Sequence, residues 1–307
     1  MFDSMGVIVT PALLERTTMS HVNTLIVGAG GQLGHAFANR LPTAIRLGRS
    51  ALDITNALQV EKVVDRESPG VLINCAAYTD VDAAESDETT ARTVNAVGPR
   101  ILADVCRRAG VLLVSFSTDH VFAGNEDKTY TESDATGPVN IYGATKLAGE
   151  RAILETTEDA LIVRTAWLMS PTHACFARWV VETAFKGPMR VVDDQYGSPS
   201  WATDVAAKTA ELIERRARGI VHVVNSESMT KFDAARYLAI AADLPETRVS
   251  RAKSADFPRP AARPKSAPLR SERLSEFGVA PLGPWSSNVD AVAREIMRGR
   301  HMRKEQP

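Results

Sequence analysis

The chain has 307 residues, with 36 Lys and Arg against 37 Asp and Glu and a formal charge of -1. That length allows one large domain or two smaller ones, and the near-neutral balance gives no overall electrostatic reason to bind nucleic acid or an anionic membrane, so neither is expected as a partner. No apolar run is long enough to span a bilayer, and Cys75, Cys106 and Cys175 are too few and too scattered for a disulfide framework or a zinc site, which fits a reducing cytoplasm.

Residues 1–20 contain Pro11, Glu15 and Arg16 and no apolar signal core, and read as a loose N-terminal extension. Val22 to Val27 is a short apolar strand, followed at once by Gly28-Ala-Gly-Gly-Gln-Leu-Gly34 and a helix to about Arg40. Glycines at 28, 31 and 34, with Gly30 between, let a backbone turn tightly and approach a pyrophosphate, and the helix that follows adds its amides and positive dipole. Strand before and helix after is the context a dinucleotide turn requires. Thr43 to Leu47 reads as the second strand. An acidic residue at its end would bind an adenosine ribose, but Ile45-Arg-Leu-Gly-Arg-Ser50 has none. Arg46 or Arg49 is placed to meet a 2'-phosphate, which favours NADPH and leaves NADH open; the other reading of both is a solvated loop charge.

Asp53-Ile-Thr55 precedes a helix to about Glu67, with Asp53 or Thr55 as its cap. Val71 to Ala77 is the continuous apolar run of a strand buried on both faces. A helix fits Val94 to Ala109, a strand Val111 to Ser117, and Ser117-Thr118-Asp119 falls at the carboxyl end of that strand, where open α/β sheets place their ligands. A hydroxyl there can donate to a carbonyl oxygen. Tyr142 and Lys146 follow at helical i, i+4 spacing, so phenol and ammonium share a face, and the cation is expected to lower the phenol's pKa and make it a proton donor.

Leu161 to Trp167 is the next strand. Beyond it the alternation loosens: a helix near Ala174 to Phe185, another over Asp204 to Arg216, a strand over Ile220 to Val224, a helix over Ala234 to Ala242, an extended Pro- and Arg-rich segment from Pro258 to Pro268, and a last helix over Asn288 to Arg298. Strand–helix alternation implies a doubly wound, Rossmann-type α/β parallel sheet with right-handed crossovers. The expected division is a dinucleotide-binding domain over 21–168, to which 203–225 returns, a smaller substrate domain from 169–202 and 226–298, and a frayed tail over 299–307.

These segments carry a resemblance. Gly28 to Gly34, Leu52-Asp-Ile-Thr55, Asn74 to Glu85, Val94-Asn-Ala96, Ser117 to Phe122, Tyr142-Gly-Ala-Thr-Lys146, Arg164-Thr-Ala-Trp167, Asp194 to Pro199 and Arg259-Pro260 resemble the extended short-chain dehydrogenase/reductases. More closely, they resemble dTDP-4-dehydrorhamnose reductase and related 4-ketoreductases of nucleotide-activated deoxysugars, over about residues 22 to 295. The resemblance implies that Gly31, Gln32 and Leu33 hold the pyrophosphate, Asp53 and Ile54 lie by the adenine, and Ala76, Ala77 and Tyr78 line the cofactor path. It implies Thr79, Thr118, Asp119 and Trp167 at the sugar, Lys146 at the nicotinamide ribose, and Tyr142 as donor of a proton to the alkoxide formed at carbon 4. No metal site is expected, and a homodimer is compatible with the resemblance.

Three departures fall where the sugar is read. His120 stands where the family usually has tyrosine, open as a substrate contact, a second proton donor or a satisfied loop histidine. The run after Trp167 lacks the usual tyrosine, glycine and asparagine, and Ser198-Pro199-Ser200 replaces the usual Pro-Thr. These leave the deoxysugar open, rhamnose or a secondary-metabolite relative. Two other readings stay open: an epimerase or 4,6-dehydratase that retains NAD, opposed by Asp119-His120 where dehydratases carry Asp-Glu, and a non-catalytic regulatory subunit resembling that of methionine adenosyltransferase.

Overall fold

The structure, a computed structural model, describes residues 22–124 and 127–304, with side chains to residue 299. The N-terminal extension and the last three residues lie outside them. Thr24–Val27 (β1), Val71–Asn74 (β3), Leu112–Thr118 (β4) and Ala160–Thr165 (β5) are buried at every position, as continuous apolar runs covered on both faces must be. With Ile45–Leu47 (β2) and Gly219–His222 (β7) they form, among the described residues, a six-stranded parallel sheet in the order β7-β5-β4-β3-β1-β2. Parallel neighbours need helical crossovers, and Gln32–Arg40 (α1), Ala57–Glu67 (α2), Gly98–Ala109 (α3) and Ile141–Thr156 (α4) supply them. Val60, Val63 and Val64 of α2 join Leu102, Ala103 and Cys106 of α3 in the core on one face. On the other face lie Phe37 of α1 and Val205, Ala206 and Leu212 of Ala202–Glu214 (α6). The strand order reverses between β1 and β3, which opens a crevice at their carboxyl ends.

One helix starts earlier than its sequence suggests, at Glu88, and widens within its length. The expected start at Val94 falls in a widened π turn, Thr93–Val97, and the regular α3 begins at Gly98. The cause is Asn95, a buried side chain whose amide accepts from Tyr78 N at 2.9 Å and donates to Tyr78 O at 3.0 Å and Thr145 Oγ1 at 3.2 Å. Such turns recur beside functional sites. This one pins the loop after β3 to α4.

The second core gathers Phe176–Lys186 (α5), Lys231–Ala241 (α7) and Val289–Lys304 (α8) around stacked Trp201 and Trp285, whose rings are 4.9 Å apart. Met189–Val192 (β6) and Val249–Ala252 (β8) form a small parallel pair that the sequence does not announce, because four-residue strands with two buried positions apiece carry little signal. The last helix runs to Lys304, past the expected start of a frayed tail at residue 299. Residues 258–268 contain no helix and pair with Tyr196 through a bridge at Ser266.

A buried polar seam runs behind the sheet. Arg164 of β5 gives Nε and Nη2 to the two carboxylate oxygens of Glu150 at 2.9 and 2.7 Å, and His222 pairs with it in register on β7. Because Arg164 Nη1 can only donate, His222 Nε2 accepts at 3.5 Å, and Nδ1–H must donate to Arg270 O at 3.1 Å. His222 is therefore neutral, and burial pulls its pKa down to about 4 from 6.5. In the pH window between these values the unfolded chain binds a proton that the folded chain refuses, so stability is full above pH 6.5 and falls as pH drops towards 4. The expected loss is on the order of a few kcal/mol. Urea unfolding across that window checks it, and His222→Gln should flatten the slope.

Candidate active site

The dinucleotide turn has the shape its glycines suggest. Gly28 sits at φ +71, and a Cβ there would come within 2.5 Å of Ala76 N, so backbone of two strand ends packs where a side chain would block it. Gly30 and Gly31 are exposed, Gly31 caps α1 with no side chain over the helix's first amides, and nothing lies within 4 Å of the space a Gly30 side chain would fill. Gln32 carries a buried Oε1 with no partner among the described residues, while Leu33 and Gly34 are buried beneath the turn. An open turn, free helix amides and an unsatisfied buried acceptor fit a dinucleotide.

The strand-2 arginines separate. Arg46 is tied to the end of α1, donating to Ala38 O at 2.8 Å and Pro42 O at 3.1 Å. Arg49 is exposed at the following turn, and its charge acts on Asp53. Asp53 accepts from Thr55 N at 2.9 Å and Thr55 Oγ1 at 2.7 Å, which holds its carboxyl below the usual range. The α2 cap, however, is Asn56 rather than Asp53 or Thr55, through Gln59 N at 3.1 Å. Ile54 is a core side chain, packed in the cluster of Val27 and Leu102. Ala76, Ala77 and Tyr78 line the mouth of β3 half-buried, and Thr79 beyond them is exposed.

Thr118 ends β4, and its hydroxyl accepts from His120 N at 3.1 Å and donates to Asp119 Oδ1 at 3.0 Å. Tyr142 lies in the first turn of α4, and the Thr118 hydroxyl acts on its phenol. Its ring meets His120 edge-on at 5.4 Å. Lys146 is buried one turn on. Asn140 aims this group: its Oδ1 caps α4 through Gly143 N at 2.8 Å, and its Nδ2 donates to Ala262 O at 2.8 Å and to His120 Nδ1 at 2.9 Å. That donation leaves the proton of a neutral His120 on Nε2. Burial also lowers the His120 pKa and raises that of Asp119.

One expectation is reversed. Lys146 was expected to lower the Tyr142 pKa, yet burial dominates and pushes the phenol up to about 12, with the Thr118 hydrogen bond opposing and Asp119 adding to the rise. Burial pulls Lys146 down to about 8, against the charge of Glu150. Both groups are taken out of water, and desolvation penalises each charged form more than their neighbours repay. At neutral pH the phenol keeps its proton, which is the state a proton donor needs.

Beside the Thr118–Tyr142–Lys146 group lies a cavity of about 520 Å³. Lys231 stands between the two: its Nζ lies 5.3 Å from the centre of the Trp167 ring, and its charge acts on Asp119. Trp167 holds a left-handed φ of 41, unusual for a bulky residue and a mark of a constrained site. Its indole fits against Gly197, where a Cβ would come within 2.7 Å of the ring. Trp167 is thus half-buried, packed on two cores and against Lys231 of the cavity wall. Arg259 and Arg263 are oriented by Asp82, from the loop after β3, at 3.5 and 2.8 Å. Phe176, Trp179 and Phe257 supply aromatic walls. Lys231, Asp82 and the cavity rings were missed as site residues, because they come together only when α5, α7 and the 254–265 segment fold over the sheet. Among the described residues, no group of three or more His, Cys, Asp and Glu is placed to hold a metal ion, and no helix is long and apolar enough to cross a membrane.

Comparison with known proteins agrees with this geometry. Residues 22–298 match the family model described as the RmlD substrate binding domain. The chain is 41% identical over 286 residues to the dTDP-4-dehydrorhamnose reductase of Mycolicibacterium smegmatis, covering 89% of this chain and 85% of that one. It is 37% identical to a probable dTDP-4,6-dihydroxy-2-methyloxan-3-one 4-ketoreductase of Streptomyces antibioticus, over 90% of this chain and 96% of that one. The crystal structure of the Bacillus anthracis dTDP-4-dehydrorhamnose reductase in complex with NADP superposes with a TM-score of 0.85 at 33% identity, covering 89% and 99% of the two chains. With one family matched along nearly the whole described length, at these identities and with this fold, the chain belongs to the dTDP-4-dehydrorhamnose reductase family.

Proposed function

We propose that the protein is an NADPH-dependent oxidoreductase that reduces the 4-keto group of a dTDP-4-keto-6-deoxysugar to the alcohol. The observation that carries this reading is the junction of three sites: an open dinucleotide turn, a Thr118–Tyr142–Lys146 group, and a cationic, aromatic-walled cavity reached through Lys231. A nucleotide base suits the rings of Phe176, Trp179 and Phe257, and a diphosphate suits Lys231, Arg259 and Arg263. Bound at the turn, NADPH supplies the hydride.

The chain's own residues do the rest. The Thr118 hydroxyl, which donates to Asp119 here, turns its proton to the ketone oxygen and polarises it. Tyr142 gives its proton to the alkoxide, and the Lys146 ammonium stabilises the tyrosinate left behind. His120 offers Nε2–H beside Tyr142, a donor fixed by Asn140, and we assign it to a sugar oxygen. Trp167, with Lys231 of the cavity wall against its face, flanks the sugar ring. A continuous absorbance assay of NADPH oxidation with dTDP-4-keto-6-deoxysugars, with the carbon 4 configuration of the product read by NMR, tests the proposal. No oxidation with any of them, or purification with NAD tightly held, would overturn it.

Arg49 is assigned to the 2'-phosphate, since Arg46 is committed to the carbonyls ending α1. Arg49→Ala is expected to raise the KM for NADPH roughly 10-fold, the worth of one charge-assisted contact, and to leave the KM for NADH unchanged. Equal changes for both cofactors would remove the assignment.

A further inference from the structure

Lys146 must stay charged in a place that opposes charge. It is 6% exposed, and water is the usual solvent of an ammonium. The neighbours that border it are mostly uncharged: Ser115 and Ser117 on β4, and Asn95 on the π turn. From its own helix it is faced by Tyr142, itself under the charge of Asp119, and by Glu150. Glu150 lies one turn on, on the same face of α4.

A buried carboxylate needs a partner for its charge. Glu150, 3% exposed, has one in Arg164, whose Nε and Nη2 engage both of its oxygens. Arg164 is in turn immobilised. Its third donor points at His222 Nε2, its guanidinium lies 5.1 Å from the centre of the Phe122 ring, and the His222 ring is oriented by Arg270 O, with Glu132 accepting from its backbone N–H at 2.8 Å. Of the two members of the ion pair, Glu150 shares the helix with Lys146, one turn away, and its negative charge favours the ammonium.

We propose that the buried Arg164–Glu150 pair holds Lys146 as the ammonium in the crevice, which makes Glu150 and Arg164 positioning residues of the reaction rather than a structural clasp; this rests on the reductase reading above. The pair acts through Lys146 and touches neither hydride donor nor sugar. A structural clasp would affect unfolding alone. A charge-holding pair sets the pH at which turnover fails.

The test is the pH profile of kcat, from pH 6 to 10, for Glu150→Gln at saturating NADPH and dTDP-4-keto sugar. A parallel NMR titration follows Lys146 in protein labelled with 13C at the lysine ε-carbons, the signal assigned by its loss in Lys146→Met. The alkaline limb and the Lys146 titration are both expected to move down by about one pH unit or more, with Glu150→Asp recovering part of the shift. If Glu150→Gln does not fold, Glu150→Gln/Arg164→Met removes both charges of the pair, leaves no buried guanidinium without its carboxylate, and is expected to shift both curves in the same direction, by less. Folded variants with the wild-type profile and the wild-type Lys146 titration would overturn the proposal. Because the titration needs no substrate, it decides the pair's hold on Lys146 even if the wild-type protein proves inactive on every sugar offered.

Discussion

Replacing Tyr142 with phenylalanine is expected to lower kcat for NADPH oxidation by roughly 100- to 10,000-fold, the usual worth of a positioned general acid. The dissociation constant for NADPH should stay within about twofold, because the lost group acts in the transition state rather than in cofactor binding. The geometry behind this is the phenol's place one helical turn from Lys146 and edge-on to His120 beside the end of β4. Burial keeps the phenol protonated to about pH 12, so the alkaline limb of the wild-type profile belongs to Lys146, near 8. Below that pH the ammonium is present and turnover is full; above it the charge, and the stabilised tyrosinate with it, is lost. Stopped-flow turnover and a fluorescence titration of NADPH separate the two effects. Near-normal turnover in the variant would move the proton donor elsewhere, and His120, edge-on to Tyr142 at 5.4 Å, would be its first candidate.

Lys231→Met should act on the other kinetic constant. Losing one charge-assisted bond to a diphosphate is expected to raise the KM for the sugar nucleotide roughly 10- to 100-fold, equivalent to about 1.5–3 kcal/mol. The methionine keeps most of the stem's packing, so kcat should change far less. Burial and the positive charges of Arg263 and Arg259 pull the Lys231 pKa down to about 8, with Asp119 and Asp82 opposing. Its charge is therefore present below that pH and lost above it. The wild-type KM should rise on the alkaline side and the variant's should not, whereas the Lys146 titration should appear in kcat. Steady-state kinetics at pH 7 and pH 9 distinguish these patterns. A variant with an unchanged KM at pH 7 would mean that the diphosphate does not lie in the cavity between α5, β6 and the 254–265 segment.

Much of this was legible along the chain because it is local. The strand–turn–helix around Gly28 needs only near neighbours, and so does the i, i+4 pairing of Tyr142 and Lys146. Periodicity also located β3, β4 and β5, since a strand covered on both faces must be apolar throughout. Signals failed where a residue's role depends on a distant partner. The π turn at Thr93–Val97 follows from Asn95 reaching Tyr78 and Thr145, 17 and 50 residues away. Arg46 and Arg49 are equivalent by type and spacing, and only the carbonyls ending α1 tell them apart.

The sequence by itself determined the doubly wound class and the family, and it pointed to the glycine turn and to the proposed catalytic group, because each rests on residue types at short, fixed spacing. Tertiary structure alone decided the electrostatics of the site. Desolvation reversed the expected shift of Tyr142, Arg164 fixed Glu150 behind Lys146, and Asp82 aimed arginines about 180 residues further along the chain. The physical reason is that a side chain's charge state depends on what excludes water from it, and those groups are chosen by the fold rather than by their neighbours in sequence.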